Sequence, residues 1–182
     1  PAVDLTVQGD GPADDFNADI LLLTDGEERL SGTATLGAFG ADDGEGEADR
    51  RFGLDLAGDL APLFLPDYRD FLGNDVALTV AGTLLGAGGL DLEQLSVETQ
   101  SLVLNGAVQL DSDSWPVRID VTGAITPPDG NEVLLPLAGP ETWVQGVELA
   151  IDFDSTDGDT WTAALTADGF RRDGIEIGRA AL

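Results

Sequence analysis

The chain has 182 residues, 42% of them hydrophobic, and its 35 acidic residues against eight basic ones give a formal net charge of −27. Histidine, cysteine and methionine are absent and every basic residue is arginine, which excludes serine and cysteine triads, ordinary zinc sites and lysine Schiff bases. So negative a field repels phosphate backbones and anionic headgroups, which argues against nucleic-acid binding. We therefore expect a chain that is not an enzyme and holds no metal or cofactor.

The acidity has two general explanations, a solvated outer sheet face and adaptation to a salty habitat, beside the more specific one of a cationic partner. No apolar run approaches the roughly 18 to 20 residues that a membrane-spanning helix needs. The sequence starts at Pro1 inside a repeating pattern and without the features of a signal peptide. We expect it to be an excised segment of a longer protein.

Strict alternation of apolar and polar residues is the dominant pattern, and it predicts β-strands with one buried face. In chain order the predicted strands are 3–9, 17–24, 29–37, 51–58, 75–83, 89–98, 101–110, 117–126, 145–153, 160–167 and 175–179. Clusters of Gly, Asp, Asn and Pro between them are typical of turns. This succession of strands predicts an antiparallel meander.

A five-residue unit recurs within the strands, with apolar residues at its first and third positions and glycine at its fifth. Its copies are 5–9, 54–58, 78–82, 102–106 and 119–123. Alternation directs each glycine to the face of the two apolar residues, so that face should lose its side chains at one level, where the sheet can bend. Gly58, Gly82 and Gly106 are 24 residues apart, which suggests one hairpin per repeat. Ordinary strand-end glycines of a β-sandwich are the alternative.

Residues 59–73 break the alternation, because their apolar residues recur at helical spacings of three and four. Asp59 is a candidate N-cap, Pro62 and Pro66 suit the first turns of two short helices, and Gly73 can end the second. We expect this helical insertion to lie over one end of the sheet and cover apolar surface. A docking element for a partner is the alternative.

Residues 127–143 form a second interruption, with four prolines in and around the apolar run 133–137. Prolines at this density predict an extended connection rather than a flexible linker. The acidic alternating strands resume at Val144 without a change in composition. We therefore predict a single domain over residues 1–182.

Several stretches share a texture that is known from one family. Residues 54–73 read LDLAGDLAPLFLPDYRDFLG and precede strands of the form Leu-x-Val-x-Gly-Thr, and related runs are LDLEQLSV at 90–97, LVLNGAVQL at 102–110 and WPVRIDVTG at 115–123. From about Ala2 to Leu182 the chain resembles the periplasmic repeats of the TamB family, the translocation and assembly module, in its proteobacterial form.

The resemblance implies a periplasmic segment of a long protein anchored in the inner membrane, with a sheet folded lengthwise into an open trough. The family is linked to the assembly of outer-membrane β-proteins with a TamA-like barrel partner. Together with AsmA-like relatives, it is also linked to the movement of phospholipid between the two membranes. The implied function is a groove for phospholipid acyl chains, a scaffold for client β-strands, or both, and the resemblance implies no catalytic residues.

We predict an all-β fold, a meandering antiparallel sheet curved into an open U-shaped trough with an apolar interior and one short helical insertion. The predicted groove lining consists of Leu5, Val7, Leu54, Leu56, Val76, Leu78, Val80, Leu90, Leu92, Leu102, Leu104, Val108, Ile119, Val121, Leu149, Ile151 and Phe153. At about 25 cal/mol per Å², several hundred Å² of apolar surface left in water costs on the order of 10 kcal/mol. The wall therefore needs side chains, lipid tails or another chain upon it, and its aliphatic character favours acyl chains.

The residues alone leave other functions open. Acidic clusters within 42–49 and 152–159 could bind calcium, although EF-hand spacing is absent, and paired carboxylates could serve a glycosidase. Trp115, Trp143 and Trp161 flank strands near turns, where they either pack in a core or seal a trough edge. An exposed edge strand could instead pair with a client strand. The alternatives are thus a strand-pairing scaffold without lipid transport and a secreted acidic β-sandwich that binds a partner.

Overall fold

The computed structural model describes residues 2–12, 14–40, 47–158 and 160–182, and about 65% of the chain lies in strands. The strands are β1 Val3–Asp10, β2 Asp15–Thr24, β3 Glu27–Phe39, β4 Asp49–Gly58, β5 Val76–Leu84, β6 Leu90–Glu98, β7 Leu102–Leu110, β8 Pro116–Ile125, β9 Val133–Leu134, β10 Thr142–Val144, β11 Gly146–Asp154, β12 Thr160–Arg172 and β13 Ile175–Ala181. Each predicted strand is present. The largest difference at a strand end is in β12, which continues to Arg172.

All these strands belong to one antiparallel sheet that does not close on itself. Strands β1 to β8 pair with their sequence neighbours, and β8 then pairs with β11, which pairs with β12. Strand β12 also pairs with β10 and β13, and β10 pairs with β9. The prediction of an all-β open trough is confirmed. The alternative of a sandwich is wrong, because the described strands form a single sheet.

The insertion at residues 59–73 folds into two short 3₁₀ turns, Ala61–Leu63 and Pro66–Tyr68, followed by α1 at Arg69–Leu72. A proline lies in the first turn of each 3₁₀ segment, as predicted. The predicted N-cap is displaced by one residue, since Leu60 holds that position while the Asp59 carboxylate accepts a hydrogen bond from the Ala61 N–H at 3.1 Å. Gly73 ends α1 with a φ of 67°, a conformation that favours glycine.

The interruption at 127–143 is not only a connection, because β9 and the first two residues of β10 lie within it. These strands are too short to show a two-residue alternation, so their pairing was not predicted. Opposite Gln145, Gly169 adopts a φ of 62°, and a Cβ there would lie 2.5 Å from the Gln145 Cγ. This left-handed residue interrupts the alternation of β12, and Phe170 beyond it packs against the buried core.

The buried core is small and lies on one side of the sheet. Phe71 and Leu72 of α1 pack with Val76 at the start of β5 and with Val133 and Val144 of the short strands. The partly buried neighbours of this core are Leu60, Tyr68, Leu102, Ile125, Leu135, Val147 and Phe170. We call this side, where residues 59–75, 99–101 and 127–145 lie, the capped margin. The expected position of the insertion over apolar surface at one end of the strands is therefore observed.

The glycines of the five-residue unit share a face but not one level. Gly58 ends β4 beside Val76, whereas Gly82 lies near the opposite end of β5, between Phe52 and Leu92. Neighbouring strands run in opposite directions, so a glycine at the end of the unit approaches opposite margins in β4 and β5. The prediction of a single level is wrong, and the prediction of one hairpin per repeat fails because β4 and β5 are successive strands.

Candidate functional site

One face of the sheet carries continuous apolar rows that run across the strands. Directly opposed residues of antiparallel strands project to the same face, so the pairing register defines each row. From the uncapped side inward, the first row is Ala38, Arg50, Leu84, Leu90, Leu110, Pro116, and the second is Phe16, Leu36, Phe52, Gly82, Leu92, Val108, Ile119, Phe153, Trp161. The third is Gly9, Ala18, Ala34, Leu54, Val80, Leu95, Gly106, Val121, Ile151, Ala163, and the fourth is Val7, Ile20, Gly32, Leu56, Leu78, Val97, Leu104, Gly123, Leu149, Leu165.

We call the face that bears these four rows the inner face. Apart from the guanidinium of Arg50 and the indole of Trp161, no side chain in the rows is polar. Every predicted lining residue lies on this face, either in a row or, for Leu5, Val76 and Leu102, one step further toward the capped margin. The register therefore brings all of them together on one surface.

The opposite face is polar, and its side chains bond across the strands. The Thr79 hydroxyl donates to the Asp55 carboxylate at 2.8 Å, and the Ser96 hydroxyl donates to the Asn105 side-chain oxygen at 2.9 Å. The Arg118 guanidinium lies 3.8 Å from the Asp154 carboxylate on the neighbouring strand. Across the span of the four rows, and apart from Arg50 and Trp161, charged and hydrogen-bonding side chains of the paired strands thus lie on this outer face, which can remain in water.

Little of the inner face is covered by the rest of the protein. Eight hydrophobic residues are buried among those described, and all except Ala18 belong to the capped margin. The predicted lining residues of β4 to β11 are half-buried, apart from the buried Val76, while Leu5 and Val7 in β1 are 62% and 60% exposed. A sandwich of this size would bury the same rows under a second layer. Here they form the floor of an open trough.

The side of the sheet opposite the cap is open. We call it the open margin, and it contains the ends of β3, β5, β7 and β11 and the starts of β4, β6, β8 and β12. Leu84 of the first row is 46% exposed there, and Trp115 and Trp161 are 71% and 69% exposed. Core packing is therefore the wrong interpretation for these two tryptophans, whereas Trp143 lies half-buried at the capped margin.

Sequence reasoning missed part of the inner face for two identifiable reasons. In β2 the uninterrupted run Ile20–Leu23 hides which residues point inward, and pairing places Ile20 and Leu22 on the inner face. In β6 the register shifts at a bulge between Leu92 and Leu95, which keeps Leu95 and Val97 on the same face as Leu92. The polar pair Glu93-Gln94 was the available signal for this bulge.

The alternative sites gain no support from the described residues. Within the described part of the chain, no group of three or more Asp or Glu residues is arranged to hold a metal ion. Asp42, Asp43 and Glu45 of one candidate calcium cluster, and Asp159 of the other, lie outside the described residues. A surface depression of about 470 Å³ is lined mainly by polar residues such as Gln8, Asn17 and Thr33, so its chemistry differs from that of the inner face.

Comparison of the chain with protein-family models, with curated proteins and with solved structures gave no match. None of the helices formed by the described residues has the length and apolar character required to cross a membrane. The inner face is therefore the basis for assigning a function.

Proposed function

We propose that the inner face is a groove that shelters the acyl chains of phospholipids during their transfer between the inner and outer membranes, as a segment of a longer periplasmic protein. The observation that supports this proposal is the set of four apolar rows left without a protein cover. Acyl chains match such a surface because they need contact with apolar area and no directed hydrogen bonds.

The energetics favour an occupied groove. Each 100 Å² of apolar surface removed from water contributes about 2.5 kcal/mol. A lipid that covers several hundred Å² of the rows would gain on the order of 10 kcal/mol before the costs of association are subtracted. Among the side chains of these four rows, those of Arg50 and Trp161 alone carry polar groups. Few fixed points would therefore hold one lipid in one place, which suits transfer better than tight storage.

A matched pair of substitutions tests the proposal. Leu104 lies in the fourth row of the inner face, and the adjacent Val103 is 46% exposed on the outer face. Leu104→Asp introduces a charge into the groove and should abolish the retention of phosphatidylcholine taken up from vesicles, whereas Val103→Asp should leave it unchanged. Circular dichroism checks that both variants fold. Equal lipid retention by a folded Leu104→Asp variant would refute the groove.

The tryptophans provide a second readout that introduces no charge into the groove. Trp161 belongs to the second inner-face row, whereas Trp143 donates its indole N–H to Glu141 at 3.3 Å and lies beneath the Arg171 guanidinium at the capped margin. In variants that retain one tryptophan each, phosphatidylcholine with brominated chains should quench Trp161 fluorescence and leave Trp143 bright. Quenching of Trp143 alone would place the lipid elsewhere.

A second candidate function is the pairing of client β-strands during outer-membrane protein assembly. Its support is the exposure of both outermost strands, since every residue of β1 and β13 is exposed. An exposed strand edge offers unpaired backbone groups to an incoming strand. Hydrogen exchange with an outer-membrane strand peptide should then show new protection in β1 or β13, and new protection confined to the central strands β4 to β8 would contradict pairing at the edges.

A further inference from the structure

One charged side chain lies on the apolar rows, and its position is specific. Arg50 is the second residue of β4, where the register places it opposite Ala38 of β3 and Leu84 of β5. Phe52 follows it on the same face, so the guanidinium emerges from the apolar floor at the open margin. Arg50 is exposed, and within the described residues no acidic group forms an ion pair with it.

The backbone around Arg50 is held in place. The Asp49 carboxylate accepts a hydrogen bond from the Gly86 N–H at 2.7 Å, which ties the start of β4 to the loop after β5. At Gly86 a Cβ would lie 1.8 Å from the Glu47 carbonyl oxygen, so the two segments pass in close contact. A cation on a fixed backbone at the edge of an apolar surface has the arrangement that an amphipathic ligand requires.

We propose that Arg50 binds the phosphate of a phospholipid whose acyl chains lie on the inner-face rows, so that the headgroup remains at the open margin. This inference rests on the proposed function, and it adds the position of the headgroup and the group that recognises it. Arginine is suited to this task because its planar guanidinium can donate two parallel hydrogen bonds to phosphate oxygens.

The dimensions are compatible with this placement. From Arg50 in the first row to Leu56 in the fourth, β4 spans six residue steps, or about 20 Å at the usual rise of a strand. One leaflet of a bilayer has a hydrocarbon depth of about 15 Å. A lipid anchored at Arg50 can therefore lay its chains over the first three rows, as far as Leu54, without reaching the capped margin.

The net charge of the chain restricts the net charge of the lipid that the groove can accept. A net charge of −27 disfavours anionic phospholipids and free fatty acids, which would bring a net negative charge to an acidic surface. A zwitterionic lipid brings the phosphate that Arg50 can bind together with a cationic ammonium group. We therefore assign a zwitterionic phospholipid to the groove.

The neighbouring arginine provides a matched control. Arg51 lies on the outer face, with its guanidinium 4.8 Å from the centre of the Phe39 ring. Arg50→Gln and Arg51→Gln change the net charge equally and differ only in the face they alter. Arg50→Lys keeps the charge on the inner face and loses the planar guanidinium.

The experiment compares two lipids in one sample. The protein is incubated with vesicles of dioleoylphosphatidylcholine that contain some dioleoylglycerol, then reisolated, and the two retained lipids are quantified by mass spectrometry. The lipids have the same chains and differ in the phosphocholine group. Arg50→Gln should lower the ratio of phosphatidylcholine to dioleoylglycerol by about three- to tenfold. Arg51→Gln should leave the ratio unchanged, and Arg50→Lys should restore part of it.

The outcomes separate this inference from the function on which it rests. If the wild-type chain retains neither lipid, the groove itself is refuted. If it retains both lipids and Arg50→Gln leaves their ratio unchanged, the headgroup assignment alone is overturned. If Arg50→Gln does not fold, the salt dependence of the lipid ratio in the wild-type chain tests the headgroup assignment instead. A phosphate contact at an exposed arginine is screened by salt, so the ratio should fall as sodium chloride rises, and a constant ratio contradicts the proposal.

Discussion

Two glycines of the same five-residue unit should differ sharply in their tolerance of a methyl group. At Gly58 a Cβ would lie 2.0 Å from the Arg29 carbonyl oxygen and 2.7 Å from the Leu30 Cα, both of them backbone atoms of the neighbouring strand. Restoring ordinary contact requires β3 and β4 to separate by more than about 1 Å, which strains or breaks the ladder hydrogen bonds nearby. With about 1 kcal/mol for each lost bond and a similar cost for overpacking, Gly58→Ala should cost about 3 kcal/mol.

Gly106 is the comparison within the same motif. Its nearest neighbour would be the Val121 Cγ2 at 3.1 Å, followed by the Asp120 carbonyl oxygen at 3.3 Å. Here the neighbour needs to move by only a few tenths of an ångström, and alanine also restricts the unfolded chain. Gly106→Ala should therefore change the free energy of unfolding by about 1 kcal/mol or less. Urea unfolding followed by tryptophan fluorescence measures both values. Equal costs for the two variants would refute the claim that close strand approach, rather than the motif itself, requires glycine.

Three further changes test the cap and the groove. Phe71→Ala removes the largest side chain of the capped-margin core and should cost about 3 to 4 kcal/mol in urea unfolding, and a loss under about 1 kcal/mol would contradict a core at that margin. Glu132→Gln removes the ion-pair partner of Arg171, whose guanidinium lies 2.7 Å from the Glu132 carboxylate with both side chains partly exposed. We expect the free energy of unfolding to fall by about 1 kcal/mol or less. A larger fall would show that this pair holds the cap closed. Phosphatidylcholine at about one hundred times its dissociation constant should raise the free energy of unfolding by about 2.7 kcal/mol, measured by thermal unfolding. An unchanged melting temperature with lipid bound would mean that the unfolded chain binds the lipid as tightly as the folded chain does.

The sequence was sufficient to predict the sheet and the inward face wherever alternation is strict. In β11 the large apolar residues fall on every second position from Val147 to Phe153, so Ile151 was assigned to the correct face before its partners were known. The same rule cannot assign residues to a face in a continuous apolar run such as 20–23, because apolar side chains there point to both faces. It also fails across the bulge in β6, because the rule assumes an unbroken period of two.

The capped margin could be anticipated only in part. The prolines and Gly73 predicted where the insertion turns, since these residues restrict the backbone locally. That Val133 and Val144 would pack with Phe71 depends on the pairing of β9 and β10 with β12, which is a contact between distant parts of the chain. Arg50 was missed for a related reason. A single arginine in an alternating strand becomes informative only after the register shows that its neighbours on that face are all apolar.

The asymmetry between the two margins connects the fold to the proposed function. A single sheet with one apolar face gains its stability from ladder hydrogen bonds and from the limited apolar area it can bury, so it needs a local core to fix its curvature. Here α1, β9 and β10 provide that core on one side only. Had both margins been capped, the rows would be sealed from lipid, and had neither been capped, the sheet would have few buried contacts to hold its shape. Placing the core at one margin leaves the other open, as the exchange of an amphipathic ligand requires, and in our proposal Arg50 marks that open margin as the side of the headgroup.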